Sequence, residues 1–309
     1  MEFGLALSGG GLRGAAHIGV LKALAEEKLT PSWISGTSAG SIVAGLYSCG
    51  FSPTEIENFA LSMDRKVYDL NISGLLKCVL QLVCGRPCTF SGIIKGNKFE
   101  KLMKDLTKGR VMRDCNIPTA ITGVDINNGK TIYFLSDKKS FTNNQYNMYQ
   151  ENIPIYSAIR ASISIPVVFK PAVIDGFALV DGGVTDGLPG QILKQMGAKR
   201  VIGVDLGYAG QLVEDVNNIA AIANQSLDIM EYKLKSFTNN DLDLIINPQI
   251  YDVGLTDFDK IPECIERGYN VAMYNMPEIK RVVTAPVLYR SNQKAPVINI
   301  RNDATKAVY

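Results

Sequence analysis

The sequence predicts an α/β protein whose sheet is at least partly parallel. Two observations carry that prediction. Short apolar runs alternate with segments of helical period along most of the chain, an order that closes as β-α-β units. The composition supplies a core to match: 46% of the 309 residues are hydrophobic and 20% are charged. That is an ordinary globular mix, which excludes disorder as the main state.

The elements follow in order. Residues 3–7 are a short apolar run leading into Ser8-Gly9-Gly10-Gly11-Leu12-Arg13-Gly14. Residues 15–28 place His17, Val20, Leu21 and Leu24 on one helical face, with Lys22, Glu26 and Glu27 off it. Residues 32–36 are a second strand. Residues 41–49 are a small-residue helix that Gly50 stops. Ser52-Pro53-Thr54-Glu55 is a capping box with proline at the first helical position, so a third helix starts there. Residues 70–83 are strongly apolar, interrupted by Lys77 and Gln81. The default reading is a core helix; the functional readings are the lining of an acyl tunnel or a helix lying on a membrane.

Asn97 is expected to cap a helix running to about residue 108. Residues 117–125 and 131–135 pair across Asn127-Asn128-Gly129, and residues 171–174 and 177–180 pair across Asp175-Gly176. Residues 188–196 are helical, 200–205 a strand, 219–235 a helix, 242–246 a strand and 262–279 one helix. The tail, residues 282–309, is β-prone with two prolines. It suits an edge strand or the arm of a homodimer.

Charge and targeting signals narrow the function. Lys plus Arg total 32 against 30 Asp plus Glu, a net +2, without the basic excess of a nucleic-acid binder. The opening MEFGLALSGGG has no basic segment followed by an apolar run and a cleavage site. No apolar stretch approaches the length of a membrane span. These features lead to the expectation of a cytoplasmic protein whose six cysteines are reduced thiols. One Cys-x3-Cys pair, Cys84 and Cys88, with a single histidine in the chain, is too little for a zinc site.

Three motifs carry chemistry. Gly9, Gly11 and Gly14 form G-x-G-x-x-G between a strand and a helix. A dinucleotide site would need a carboxylate at the end of the next strand, and that strand ends in Gly36-Thr37-Ser38 instead. The same unpaired amides suit an oxyanion, with Arg13 nearby, or the loop is simply a tight turn. Gly36-Thr37-Ser38-Ala39-Gly40 matches G-x-S-x-G between a strand and a small-residue helix. Such a turn exposes a strained serine at a helix N-terminus. The glycine loop upstream favours a nucleophile over a plain helix cap.

A serine nucleophile needs a base. His17, on the apolar face of the first helix, reads as a packed core histidine. Asp181 is the best candidate, because it ends a strand and Gly182-Gly183 follows at once. Asp205, also at a strand end, is the main rival. Asp175 reads as a turn residue, and Asp186 as the lead into the next helix.

Together these stretches resemble the patatin-like phospholipase family: SGGGLRGAAHIGVL at 8–21, GTSAG at 36–40 and DGG at 181–183. The likeness covers about residues 4–200. Residues 254–269 also look like the C-terminal part of small bacterial stand-alone members. The resemblance implies a three-layer fold with a central, mostly parallel sheet flanked by helices, in a hydrolase domain over 1–281. It implies a Ser38–Asp181 dyad and an oxyanion hole of Gly9, Gly10 and Gly11 supported by Arg13. Gly14, Gly36, Gly40, Gly182 and Gly183 complete the motifs. The implied activity is hydrolysis of a fatty-acyl ester or membrane lipid, without cofactor or metal and with peripheral membrane contact. An acyltransferase using the same dyad, or a non-catalytic lipid- or partner-binding module, are the alternatives.

Overall fold

The inner strands of the central sheet bury alternate side chains on opposite faces, and this period of two sorts the helices into layers. A computed structural model describes residues 2–138, 141–213, 216–238, 242–254, 256–285 and 295–299. The strands are β1 (Gly4–Leu7), β2 (Trp33–Gly36), β3 (Thr119–Asp125), β4 (Thr131–Leu135), β5 (Asn147–Gln150), β6 (Ala172–Ile174), β7 (Phe177–Asp181), β8 (Val201–Val204), β9 (Leu244–Ile246) and β10 (Val297–Ile298). The helices are α1 (Ala15–Glu26), α2 (Ala39–Ser48), α3 (Pro53–Leu61), α4 (Ile72–Val83), α5 (Asn97–Thr107), α6 (Ile155–Ser162), α7 (Gly190–Gln195), α8 (Ile219–Thr238), α9 (Ile261–Tyr274) and α10 (Met276–Thr284).

The strand order is β10-β9-β8-β1-β2-β3-β4-β5, with β7 on β3 and β6 on β7. The six strands from β10 to β3 run parallel to one another. β3–β4, β3–β7 and β6–β7 are antiparallel. The sheet is therefore mixed and mostly parallel, as expected. On one face Leu5, Leu7, Ile34, Ile202, Val204, Leu244 and Ile246 pack with α1, α9 and α10. Beside them, Ile121, Ile132 and Phe134 pack with α5 and α6. Ala6, Ala120, Tyr133, Leu135, Val201 and Ile245 point the other way, onto α7. Helices thus flank both faces of the sheet.

The Ser52 capping box forms with Pro53 in the first turn of α3. The helix expected from Asn97 does form, but its cap is not Asn97. Gly96 takes that position with φ 82°. The Asp69 carboxylate then accepts from the N–H groups of Gly96, Asn97 and Lys98, a cap delivered from a distant loop. The single helix expected over 262–279 is two, α9 and α10, meeting at Asn275. Pro277 lies in the first turn of α10, where it lacks the N–H that would continue the preceding helix. The expectation of six reduced thiols fails for one pair, since Cys78 and Cys88 form a disulfide. Cys84 stays a free thiol. The core reading of residues 70–83 fails as well: α4 is solvent-exposed along most of its length, with Leu76 65% and Val83 80% accessible.

Candidate active site

Two strand ends meet head-on along one edge of β3. β2 runs parallel to β3 and stops at Gly36, opposite Ile121. β7 runs the other way and stops at Asp181, opposite Gly123. Only Thr122 lies between them on β3. The Thr37 hydroxyl donates to the Asp186 carbonyl at 2.7 Å, so it accepts from the Thr122 hydroxyl, 2.5 Å away. The chain continues from each strand end directly into a site residue, Ser38 after Thr37 and Asp181 itself.

Ser38 has φ 51° and ψ −124°, a region that costs an L-residue on the order of 1–3 kcal/mol. Surrounding bonds hold it there. Thr37 N–H donates to Leu7 O at 3.0 Å and Ser41 N–H to Ser38 O at 2.9 Å. Ser38 N–H donates to the buried Ser162 hydroxyl at 2.9 Å. Ser38 occupies the N-cap position of α2, yet its side chain makes no capping hydrogen bond. The hydroxyl is left for other work at the positive end of the helix. Two glycines make this turn sterically feasible. A Cβ on Gly36 would strike the backbone of Gly40 and Ser41, and a Cβ on Gly40 would strike that of Leu7 and Ser8.

The Asp181 carboxyl is buried. Oδ1 accepts from Gly183 N–H at 2.8 Å, while Oδ2 is buried without a hydrogen-bond partner. Burial raises its pKa to about 7, reinforced by the negative charges of Glu231 and Asp228 and opposed by the neighbouring Ser38 hydroxyl and the Gly183 amide. Among the described residues no hydrogen bond joins the Ser38 hydroxyl to Oδ2. Gly182 is dictated by space, since a Cβ there would run into Thr122.

The glycine loop borders the same cavity. Gly9, Gly10, Gly11, Arg13, Ser38, Asp181 and Gly183 all line it. Gly9 N–H already donates to Gly187 O at 3.2 Å. Among the described residues, no hydrogen bond engages the Gly10 or Gly11 N–H. Arg13 Nε donates to Gly10 O at 3.0 Å. Because a trans peptide holds C=O and N–H on opposite sides, anchoring that carbonyl fixes the direction of the Gly11 N–H. Gly14 lies against Ala39, the first residue of α2, and leaves no room there for a side chain.

His17, Asp205 and Asp186 each have a structural partner. His17 is fully buried, and its Nε2 lies 2.9 Å from Ser8 O. Burial lowers its pKa to about 4, so it is neutral and anchors the start of the glycine loop. Asp205, the rival base, is ion-paired to Lys235 at 2.7 Å, and that cation helps hold its pKa low despite burial. Asp186 accepts from the Tyr133 hydroxyl at 2.8 Å. Asp175 sits in its hairpin turn with φ 49°.

Two contributions are not foreseen by the motifs. α6 falls in the stretch between residues 135 and 171 that received no element from the pattern. Its end supplies the Ser162 hydroxyl to Ser38, and Ser164 O accepts from Asp181 N–H at 3.0 Å. The apolar spacing of Ile155, Ala158 and Ile159 was the available signal. α8 lines the polar side of the cavity with Asn224, Leu227, Asp228 and Glu231, and Glu231 pairs with Lys235 at 2.7 Å. On the other side of Ser38 lies an apolar cavity of about 340 Å³, walled by residues such as Ile42, Met63, Phe99, Ile163 and Phe169. Ser38, Gly11 and Ile165 belong to both cavities. Among the described residues no cluster of three or more metal-ligating side chains occurs, and no helix is long and apolar enough to cross a membrane.

Comparison with known proteins identifies relatives of this chain. The family model described as patatin-like phospholipase matches residues 5–193. A patatin-like phospholipase domain-containing protein of Caenorhabditis elegans is 31% identical over 206 residues, covering 66% of this chain and 13% of its own. An NTE family protein of Mycobacterium bovis is 30% identical over 202 residues, covering 65% of this chain and 48% of its own. A lysophospholipase of Scheffersomyces stipitis is 29% identical, covering 67% of this chain and 12% of its own. The chain thus spans less than half the length of each of these relatives. Among solved structures, VipD of Legionella pneumophila aligns with a TM-score of 0.48 at 15% identity, over 89% of this chain and 67% of that one. The match over residues 5–193, more than half the chain and all three motifs, places this chain in the patatin-like phospholipase family.

Proposed function

We propose that the protein is a lipid acyl hydrolase that works through a Ser38–Asp181 dyad and an acyl-enzyme. The observation that carries the reading is the position of Ser38 where a polar cavity holding Asp181 joins an apolar cavity of about 340 Å³. An amphiphilic ester fits that junction, with its acyl chain in the apolar arm and its scissile carbonyl at the serine.

In the first step Ser38 Oγ attacks the carbonyl carbon while Asp181 takes its proton. The amides of Gly10 and Gly11 receive the developing oxyanion, each donor contributing on the order of 3 kcal/mol. Collapse of the intermediate breaks the ester bond, and the departing alkoxide takes the proton held by Asp181. Water, deprotonated by Asp181, then attacks the acyl-Ser38 carbonyl, and as the intermediate collapses Ser38 Oγ takes the proton back from Asp181 and the fatty acid leaves. A carboxylate of ordinary pKa is a weak base, and burial brings Asp181 to about 7, near the optimum for proton transfer at neutral pH. The likeness of residues 254–269 to small bacterial stand-alone members is the basis for grouping the chain with them.

The test is a lipid panel and a p-nitrophenyl ester assayed with wild type, Ser38→Ala and Asp181→Asn. Both variants are expected to lose at least about a thousandfold in kcat, and a fluorophosphonate is expected to label wild type but not Ser38→Ala. Wild-type turnover by either variant would remove the dyad. Transfer of the acyl group to added lysolipid in preference to water would make the enzyme an acyltransferase.

A further inference from the structure

We propose that α4 and the loop after it form a docking element that inserts into the surface of an anionic lipid bilayer and holds the apolar cavity open to it. Ile72, Leu75, Leu76, Val79, Leu80 and Val83 follow the i, i+3, i+4 spacing and form one helical stripe. Each of the six is more than half exposed. In a water-soluble domain such a stripe faces the core. Here it faces out, while Cys78, off the stripe, is the buried residue of the helix. The Cys78–Cys88 bridge ties the following loop back to that inner side, which keeps the stripe clear.

The position of the element identifies what covers it. The chain leaves the domain after Leu70 and returns at Ile93, and both line the 340 Å³ cavity that reaches Ser38. The two ends are pinned together: Leu70 bridges to Ile94, and Asn71 N–H donates to Ile93 O at 2.7 Å. Leu70 is 57% and Ile93 40% exposed, so exposed apolar side chains lead from the helix to the cavity. A protein seated on the stripe would lie over the cavity mouth, whereas a bilayer supplies acyl chains to it.

Charge selects the kind of lipid. Residues 71–92 contain Lys77 and Arg86, both exposed, and no carboxylate. Arg65, Lys66 and Lys98 flank the base and are exposed as well; Asp64 pairs with Lys66 at 3.4 Å and Asp69 caps the helix that carries Lys98, leaving an excess of cations. α8, on the polar side of the site, also exposes Ile219 and Met230. Apolar side chains with a cationic border are the composition of an interfacial helix, and each nearby cation adds attraction to an anionic leaflet.

This inference rests on the lipid-ester reading of the site, and its test separates the two. Wild type, Ser38→Ala, the double variant Leu76→Ser with Leu80→Ser, and Lys77→Glu with Arg86→Glu are sedimented with vesicles of equal parts phosphatidylcholine and phosphatidylglycerol. All are also assayed on soluble p-nitrophenyl butyrate. The leucine variant is expected to lose more than about tenfold in partitioning and in hydrolysis of vesicle lipid, with butyrate turnover unchanged. The charge variant is expected to lose binding to these vesicles while its weaker binding to pure phosphatidylcholine stays the same. Ser38→Ala is expected to bind like wild type. Vesicle binding in a protein without esterase activity would sink the proposed function and leave the docking element standing. Unchanged sedimentation of the leucine variant would overturn the docking element, as would light scattering showing that the stripe is covered by a second copy of the chain.

Discussion

In the proposed mechanism a single carboxyl sets the chemical operating range of the site. Asp181 is a base only when ionised, and burial holds its pKa at about 7. The value of kcat/KM for a soluble ester is therefore expected to rise through pH 6–8, reach half its maximum near pH 7 and stay flat above. A pH series with a substrate that does not itself ionise checks this; a profile already flat from pH 5 would mean that another group takes the proton. His17, neutral with a pKa of about 4 and bonded to Ser8 O, adds no second limb in this range. Ser162 and Arg13 act through their neighbours, one by holding Ser38 N–H and the other by holding Gly10 O.

Each site residue lies at the end of an element, so the spacing between elements decides whether the site exists. α2 approaches β1 closely enough that Gly40 faces the Leu7 and Ser8 backbone. That contact sets the Ser38 turn beside the glycine loop. Gly40→Ala forces the helix away and is expected to lower stability by about 2–3 kcal/mol, with esterase activity falling more steeply than the folded fraction. Thermal unfolding and active-site titration on the same sample check the pair. An unchanged melting temperature would show that the helix can move without cost. Over the same short range, the Ser162–Ser164 segment at the end of α6 reaches both Ser38 and Asp181, through Ser38 N–H and Asp181 N–H.

For the whole molecule the buried Asp181 carboxyl is a stability cost that depends on pH. The folded state holds the Asp181 proton up to about pH 7, whereas the unfolded chain releases it near pH 4. The folded form therefore binds more protons between these values, and this group lowers stability as pH rises through that window. The penalty is absent below about pH 4 and complete above about pH 7, where it is on the order of 4 kcal/mol. Asp181→Asn removes the buried charge. It is expected to raise the melting temperature at pH 8 by several degrees and to change it little at pH 4.5. Paired thermal scans at the two pH values check the sign, and equal shifts at both would deny the buried carboxylate its role.

The sequence by itself determined the parallel α/β order, the strand-to-helix turns at the glycine loop and at Ser38, and the family, because each depends on neighbours a few residues apart. Periodicity fixes a helix face, and glycine spacing fixes a tight turn. The sequence put Asp181 ahead of Asp205 as the candidate base, and the tertiary structure alone set what surrounds each carboxylate. Asp181 and Asp205 both end strands, but β7 stops against β3 where β2 stops, while Asp205 is held by Lys235 from α8. It also decided that Gly9 N–H is occupied and that Asp69 caps α5. The direction of α4 was likewise outside the pattern's reach. An apolar stripe has the same spacing whether it faces a core or solvent, and only the packing of the rest of the chain determines which side it takes.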